Sequence, residues 1–160
     1  MGSITVRVDG LKELQKAMQS LGRKTSNRIA VKAMRKGGVI VRDKARALAP
    51  VLKESVPHRR AGTLRKSIQS RTKIGKNGRT DTYIWVKGLS TKQVLKFKEK
   101  GGKSSAYNPR DPFYWRYLEF GTSKMPARPF MRPAFQQSKE QAAQAIIDTL
   151  QQEIIAEAGK

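Results

Sequence analysis

Residues 114–134, reading YWRYLEFGTSKMPARPFMRPA, constrain the fold of this chain more than any other stretch. Tyr114, Trp115, Tyr117, Leu118 and Phe120 are strand-favouring side chains in close succession, which predicts an aromatic strand. Gly121 ends it, because a backbone without a Cβ turns most easily. Pro126, Pro129 and Pro133 then fix φ and remove donors, which predicts a stiff, extended connector that aims Phe130 and Met131 at a partner surface. Pro133 suits the first turn of a helix. Beyond it, Ala143, Ile146, Ile147, Leu150 and Ile154 trace one apolar stripe over about 24 residues, roughly 36 Å of helix.

Upstream, Ile4, Val6 and Val8 alternate with Thr5 and Arg7 and read as a short strand. Asp9 is placed to cap a helix carrying Leu11, Leu14, Met18 and Leu21 at helical spacing, which Gly22 closes. Thr25 or Ser26 then caps a longer helix that runs to about Ala49, where Pro50 stops it. Its two faces differ. Ala30, Ala33, Met34, Gly37, Val41, Ala45 and Leu48 gather on one side, and Arg28, Lys32, Arg35, Arg42 and Arg46 on the other. Two adjacent glycines, Gly37 and Gly38, each cost roughly 1 kcal/mol in mid-helix, which predicts a kink or a close contact there. Residues 68–74 and 83–86 read as two strands joined through Asn77-Gly78. Residues 50–63 and 88–112 read as extended loops, the second long and mobile with a short helix at 93–100.

At 160 residues the chain fits one domain over 1–160. Its 34 Lys and Arg outweigh 12 Asp and Glu, for a formal charge of +22, which points to an acidic partner. The excess is uneven. From Pro133 onward two basic residues, Lys139 and Lys160, face four acidic ones, Glu140, Asp148, Glu153 and Glu157, so the preceding residues carry +24. Five cations along one helix face could follow a phosphate backbone without reading bases. No helix-turn-helix, zinc finger or RNA-binding signature is present. The chain has no cysteine, hence no disulfide and no thiolate chemistry. With no apolar run of about 18 residues and no apolar leader segment, the expectation is a soluble product with no membrane partner.

Catalytic chemistry is hard to assemble from these residues. His58 stands alone in a loop, without the further ligands a zinc site needs. Residues 101–104, GGKS, lack the first glycine and the preceding strand of a phosphate-binding loop. No carboxylates lie at a spacing suited to a metal-dependent nuclease. Neither an enzyme nor a cofactor is expected. Tyr83, Trp85, Trp115 and Tyr117 could stack single-stranded bases, although core or interface positions suit them better.

Ala49-Pro50, the run Gly62-Thr63-Leu64-Arg65-Lys66-Ser67-Ile68, Tyr114-Trp115 through Glu119-Phe120-Gly121-Thr122, and Ala127-Arg128-Pro129-Phe130-Met131-Arg132-Pro133-Ala134 resemble, in order, the signatures of the gene-ten tail-component family of Hong Kong-type siphophages. The strand leading into Gly10-Leu11-Lys12-Glu13-Leu14 is similar too. The departure is residues 88–112, longer than the family pattern. The resemblance implies an α+β fold, with a small, mostly antiparallel sheet packed on two or three helices, including a long basic helix and a long C-terminal one. It also implies a virion structural protein of the head-tail junction, a neck or tail-completion component made in the host cytoplasm. Such a protein forms a ring with itself, sixfold, around the DNA channel. Its further partners are a head connector or stopper, a tail terminator or tail tube protein, and phage DNA held non-specifically. The alternative is a free-standing, non-specific DNA-binding protein acting through the basic helix face. For the channel the candidates are Arg28, Lys32, Arg35, Arg42 and Arg46. For the subunit interface they are Tyr117, Phe130 and Met131 as apolar anchors and Arg128 and Arg132 as ionic partners. Glu119 is expected there as well, paired with Arg65 or another arginine.

Overall fold

The computed structural model describes residues 11–159. They form six α-helices and one two-stranded antiparallel sheet, an α+β fold. The helices are α1 (Leu11–Ser20), α2 (Arg23–Leu48), α3 (Thr63–Ser67), α4 (Thr91–Glu99), α5 (Trp115–Phe120) and α6 (Met131–Ala158). The strands are β1 (Ile68–Ile74) and β2 (Thr80–Val86). The expected strand at residues 4–8 and its Asp9 cap lie outside the described residues. The chain divides into two compact units. The first holds residues up to Val41, Ser70–Tyr83 and residues from Gln137 onward; the second holds Arg42–Gln69 and Ile84–Gln136.

In the first unit the glycines of α2 produce contact rather than a kink. α2 runs unbroken through Gly37 and Gly38, both buried. A Cβ on Gly37 would stand 2.6 Å from Ile146 Cδ1 and 3.1 Å from the Ala142 carbonyl; one on Gly38 would stand 2.5 Å from Thr82 Cγ2. α6 and β2 thus approach the bare backbone of α2 from different sides. Thr82 completes the contact by donating its hydroxyl to the Met34 carbonyl at 3.2 Å, 2.8 Å from Thr72 Oγ1 across the hairpin. Ile29, Ala33, Val41, Ala142 and Ile147 form the buried apolar set. α2 starts earlier than a Thr25 or Ser26 cap requires. Ser26 lies inside the first turn, and its hydroxyl donates to the Met18 carbonyl at 2.6 Å, tying α1 to α2.

The second unit has its own core, in which Ala45, Ala49, Leu64, Ile68, Val86, Phe130 and Ala134 are buried, with Tyr114, Trp115 and Leu118 packed against them. The aromatic run is a helix, α5, not a strand. In an extended chain Trp115, Tyr117 and Glu119 would share a face. Here Tyr114, Trp115, Leu118 and Glu119, at helical spacing, turn inward, and Tyr117 and Phe120 turn out. Asp111 starts this turn by accepting the Phe113 amide at 3.0 Å. Gly121 ends it at φ 73°, and its absent Cβ leaves room for Ala127 N, which would lie 2.9 Å away.

Residues 88–112 are not a structureless loop either. Ser90 and Gln93 form a capping box at the start of α4, and residues 105–107 make a 3₁₀ turn. This segment is laced to residues 55–63. Arg59 Nη1 donates to the Ala106 carbonyl at 2.8 Å, Thr63 Oγ1 donates to the Pro109 carbonyl at 3.0 Å, and His58 meets Tyr107 edge-on. Gly37→Leu is expected to lower stability by about 1–3 kcal/mol through overpacking. Chemical denaturation measures the loss; an unchanged midpoint would show that α6 does not pack on Gly37.

Candidate assembly and nucleic-acid surfaces

The long basic helix exists, but its cations are not equivalent. Arg28 donates to Glu157 at 2.8 Å and Lys32 to Glu153 at 2.5 Å, both carboxylates coming from α6. Arg42 holds the adjacent Asp43 at 2.8 Å. Arg46 is half-buried and donates twice to the Ile68 carbonyl, at 3.1 and 2.7 Å, where α3 ends and β1 begins. That makes Arg46 a structural clamp. Arg35 remains exposed and makes no ion pair among the described residues. The arginines and lysine of this face therefore come together on one helix, yet among the described residues Arg35 alone of the five has no protein partner. The acids that engage Arg28 and Lys32 lie more than a hundred positions away in sequence, beyond any local reading of helix charge.

The interface candidates divide in the same way. Phe130 is wholly buried in its own unit's core, so its ring has no surface to offer a neighbour. Met131 is half-buried against that core. Arg128 is exposed, as is Arg132, whose guanidinium lies 5.5 Å over the Phe120 ring. Tyr117 and Phe120 are 50% and 61% exposed, so α5 presents two aromatics outward. Tyr83 and Trp85 also point out from β2.

Glu119 does something the sequence reading missed. It is buried, and instead of pairing with an arginine it accepts three backbone amides: Phe130 N at 2.8 Å and Met131 N at 3.0 Å on one oxygen, Arg132 N at 3.2 Å on the other. These are the amides at the start of α6 that have no carbonyl within the helix. The fourth position is Pro133, which has no N–H at all. The carboxylate also sits at the positive end of the helix dipole. Arg65, the partner expected for it, donates instead to the Arg46 carbonyl at 3.0 Å. The clue in the sequence was a lone acid on an apolar helix face, eleven residues before a Phe-Met-Arg-Pro helix start.

Among the described residues no group of three or more His, Asp or Glu could hold a metal ion, and no helix is long and apolar enough to cross a membrane. Fold and surface define a small, strongly basic α+β protein in which a buried carboxylate clasps a helix start. The chain belongs to the HK97-gp10-like family of bacteriophage tail components, whose family model matches residues 12–121. No curated protein and no solved structure matches it. The matched span takes in α1 through α5 and ends at Gly121, so the connector and α6 lie beyond it.

Glu119→Ala leaves three amides unsatisfied and is expected to cost about 2–4 kcal/mol, with loss of protection at the start of α6 by hydrogen exchange. A change below about 0.5 kcal/mol would show the clasp to be dispensable. Tyr114 gives a pH signature. Burial pushes its phenol above the usual value, while the Arg59 charge and a Leu64 backbone hydrogen bond pull it partly back. The folded state therefore keeps this proton longer than the unfolded chain. That contribution is intact below about pH 10 and is lost as pH rises through the higher folded value. Tyr114→Phe should flatten the alkaline decline in melting temperature, and an identical decline in both proteins would refute the assignment.

Proposed function

We propose that this tail component is a structural protein of the head-tail junction, a neck or tail-completion subunit that closes into a ring around the DNA channel. The ring is sixfold and non-enzymatic, with a head connector or stopper on one side and a tail terminator or tail tube protein on the other. The observation that carries this reading is the charge. Twelve acids leave twenty-two cations unneutralised on a tail component, and a lining for a DNA passage needs positive potential without base recognition. Arg35 on α2 is the best placed of the candidate channel residues. Arg28 and Lys32 contribute too, because exposed ion pairs of this kind are worth about 0–1 kcal/mol and exchange readily for phosphate.

Electron microscopy of the purified chain, alone and mixed with tail-end proteins, should show rings, and phage lacking it should yield unattached heads and tails. Failure of both would refute the reading. Replacing Arg28, Lys32 and Arg35 together by alanine should leave the melting temperature within a few degrees. It should also lower the dependence of duplex binding on log salt concentration by about 1 for each phosphate that is no longer neutralised. A slope that does not change would remove this face from the DNA path. Steep, tight duplex binding by a protein that never forms rings would favour a free-standing DNA-binding protein instead.

A further inference from the structure

A groove of about 330 Å³ in the second unit is used by neither the clasp nor the basic helix. Leu64 and Leu118 form part of its apolar lining, with Val51, Leu52 and Met125. Val51 and Leu52 are 43% and 42% exposed, although they adjoin each other. Arg59, Arg60 and Arg128 also line it, and no lining residue is acidic. None of the three arginines makes an ion pair among the described residues. Arg59 is held in place without being neutralised, since it donates to the His58 and Ala106 carbonyls and lies 4.7 Å over the Phe113 ring. A fixed guanidinium beside an apolar floor is preorganised for a carboxylate that arrives with a hydrophobic neighbour.

We propose that this groove docks an acidic peptide segment with a bulky apolar residue, supplied by a different protein. The apolar residue fills the floor between Val51 and Leu118, and flanking carboxylates meet the arginines. A second copy of this chain fits the groove poorly. It brings its own +22 to a basic groove; its Asp43 and Asp81 are ion-paired, its Asp111 and Glu119 are buried, and its Glu153 and Glu157, which flank the exposed Ile155, are held in α6 and not in a free segment. Of the other described acids, Glu13, Glu54, Glu99 and Glu140 each adjoin a lysine in sequence, and Asp148 accepts from Gln144. Nucleic acid supplies the negative charge but no aliphatic anchor. The inference goes beyond the junction reading, because the groove can take such a segment whether or not subunits close into a ring.

The test is selection from a library of short peptides with fixed Glu and Asp flanks and two randomised central positions, against the full-length protein at physiological salt. Selected peptides should carry Leu, Met, Phe or Trp at the centre. Their affinity, read by fluorescence anisotropy, should fall at least about tenfold in Val51→Asp and in Arg128→Glu. Both sites are exposed, so these variants should melt like the parent. Lys73→Glu makes the same charge change on β1, outside the groove, and should leave binding nearly intact. No enrichment of apolar residues, equal binding by a peptide with two central serines, or an equal loss in Lys73→Glu would each overturn the proposal. The last two outcomes would reduce the effect to attraction between net charges.

Discussion

The second unit depends on one buried carboxylate. Glu119 reaches the start of α6 because α5 turns it inward and Gly121 folds the chain back at positive φ. The return is pinned where the Arg128 amide donates to the Leu118 carbonyl at 2.7 Å. Those constraints bring the Phe130, Met131 and Arg132 amides onto two oxygens, and Pro133 spares a fourth donor. A buried charge is costly unless its lone pairs are satisfied. Here three amides and a helix terminus satisfy them without a cation. Phe130 is buried as a consequence, since its own amide is held by the clasp. The expected partner-facing ring therefore became the anchor of its own core.

How much of this was legible depended on the range over which the determining contacts act. The apolar stripes of α2 and α6, the β1-β2 hairpin, the turn at Gly121 and a helix from the Pro133 region all follow from local periodicity and backbone chemistry, and the fold carries them. The aromatic run failed for a specific reason. Strand propensity of Tyr, Trp and Phe measures how well they pack on a half-buried surface, and a short helix packed on a core gives the same reward. The spacing of Tyr114, Trp115 and Leu118, followed by Glu119, already favoured helical period over alternation. The short helix expected at 93–100 is α4, and the Ser90-Gln93 capping box that starts it two residues earlier was open to local reading but was missed. The partners of Arg28, Lys32, Arg46 and Glu119 were not, because sequence spacing cannot show which distant carbonyl, amide or carboxylate a long side chain will reach.

The basic helix shows how far a count of charge differs from a supply of free charge. Glu153 and Glu157 use the acidic end of the chain to engage Arg28 and Lys32. Arg46 serves the backbone. Such pairing moves charge around within the subunit but cannot change its total, and the field at a distance greater than the pairs' own spacing is still that of +22.

That total sets a condition on the proposed ring. Subunits each carrying +22 repel one another at close range, and screening over about 8 Å at physiological salt leaves contacts between neighbours largely unshielded. A stable ring therefore requires anions at or near the contacts, and this subunit has few carboxylates left to provide them. DNA along the channel face can supply the charge on one side. An acidic segment held by Arg59, Arg60 and Arg128 can supply it on another. In this picture the rings expected of the purified chain close more readily as salt rises, and more readily still when the anionic partners of the junction are present.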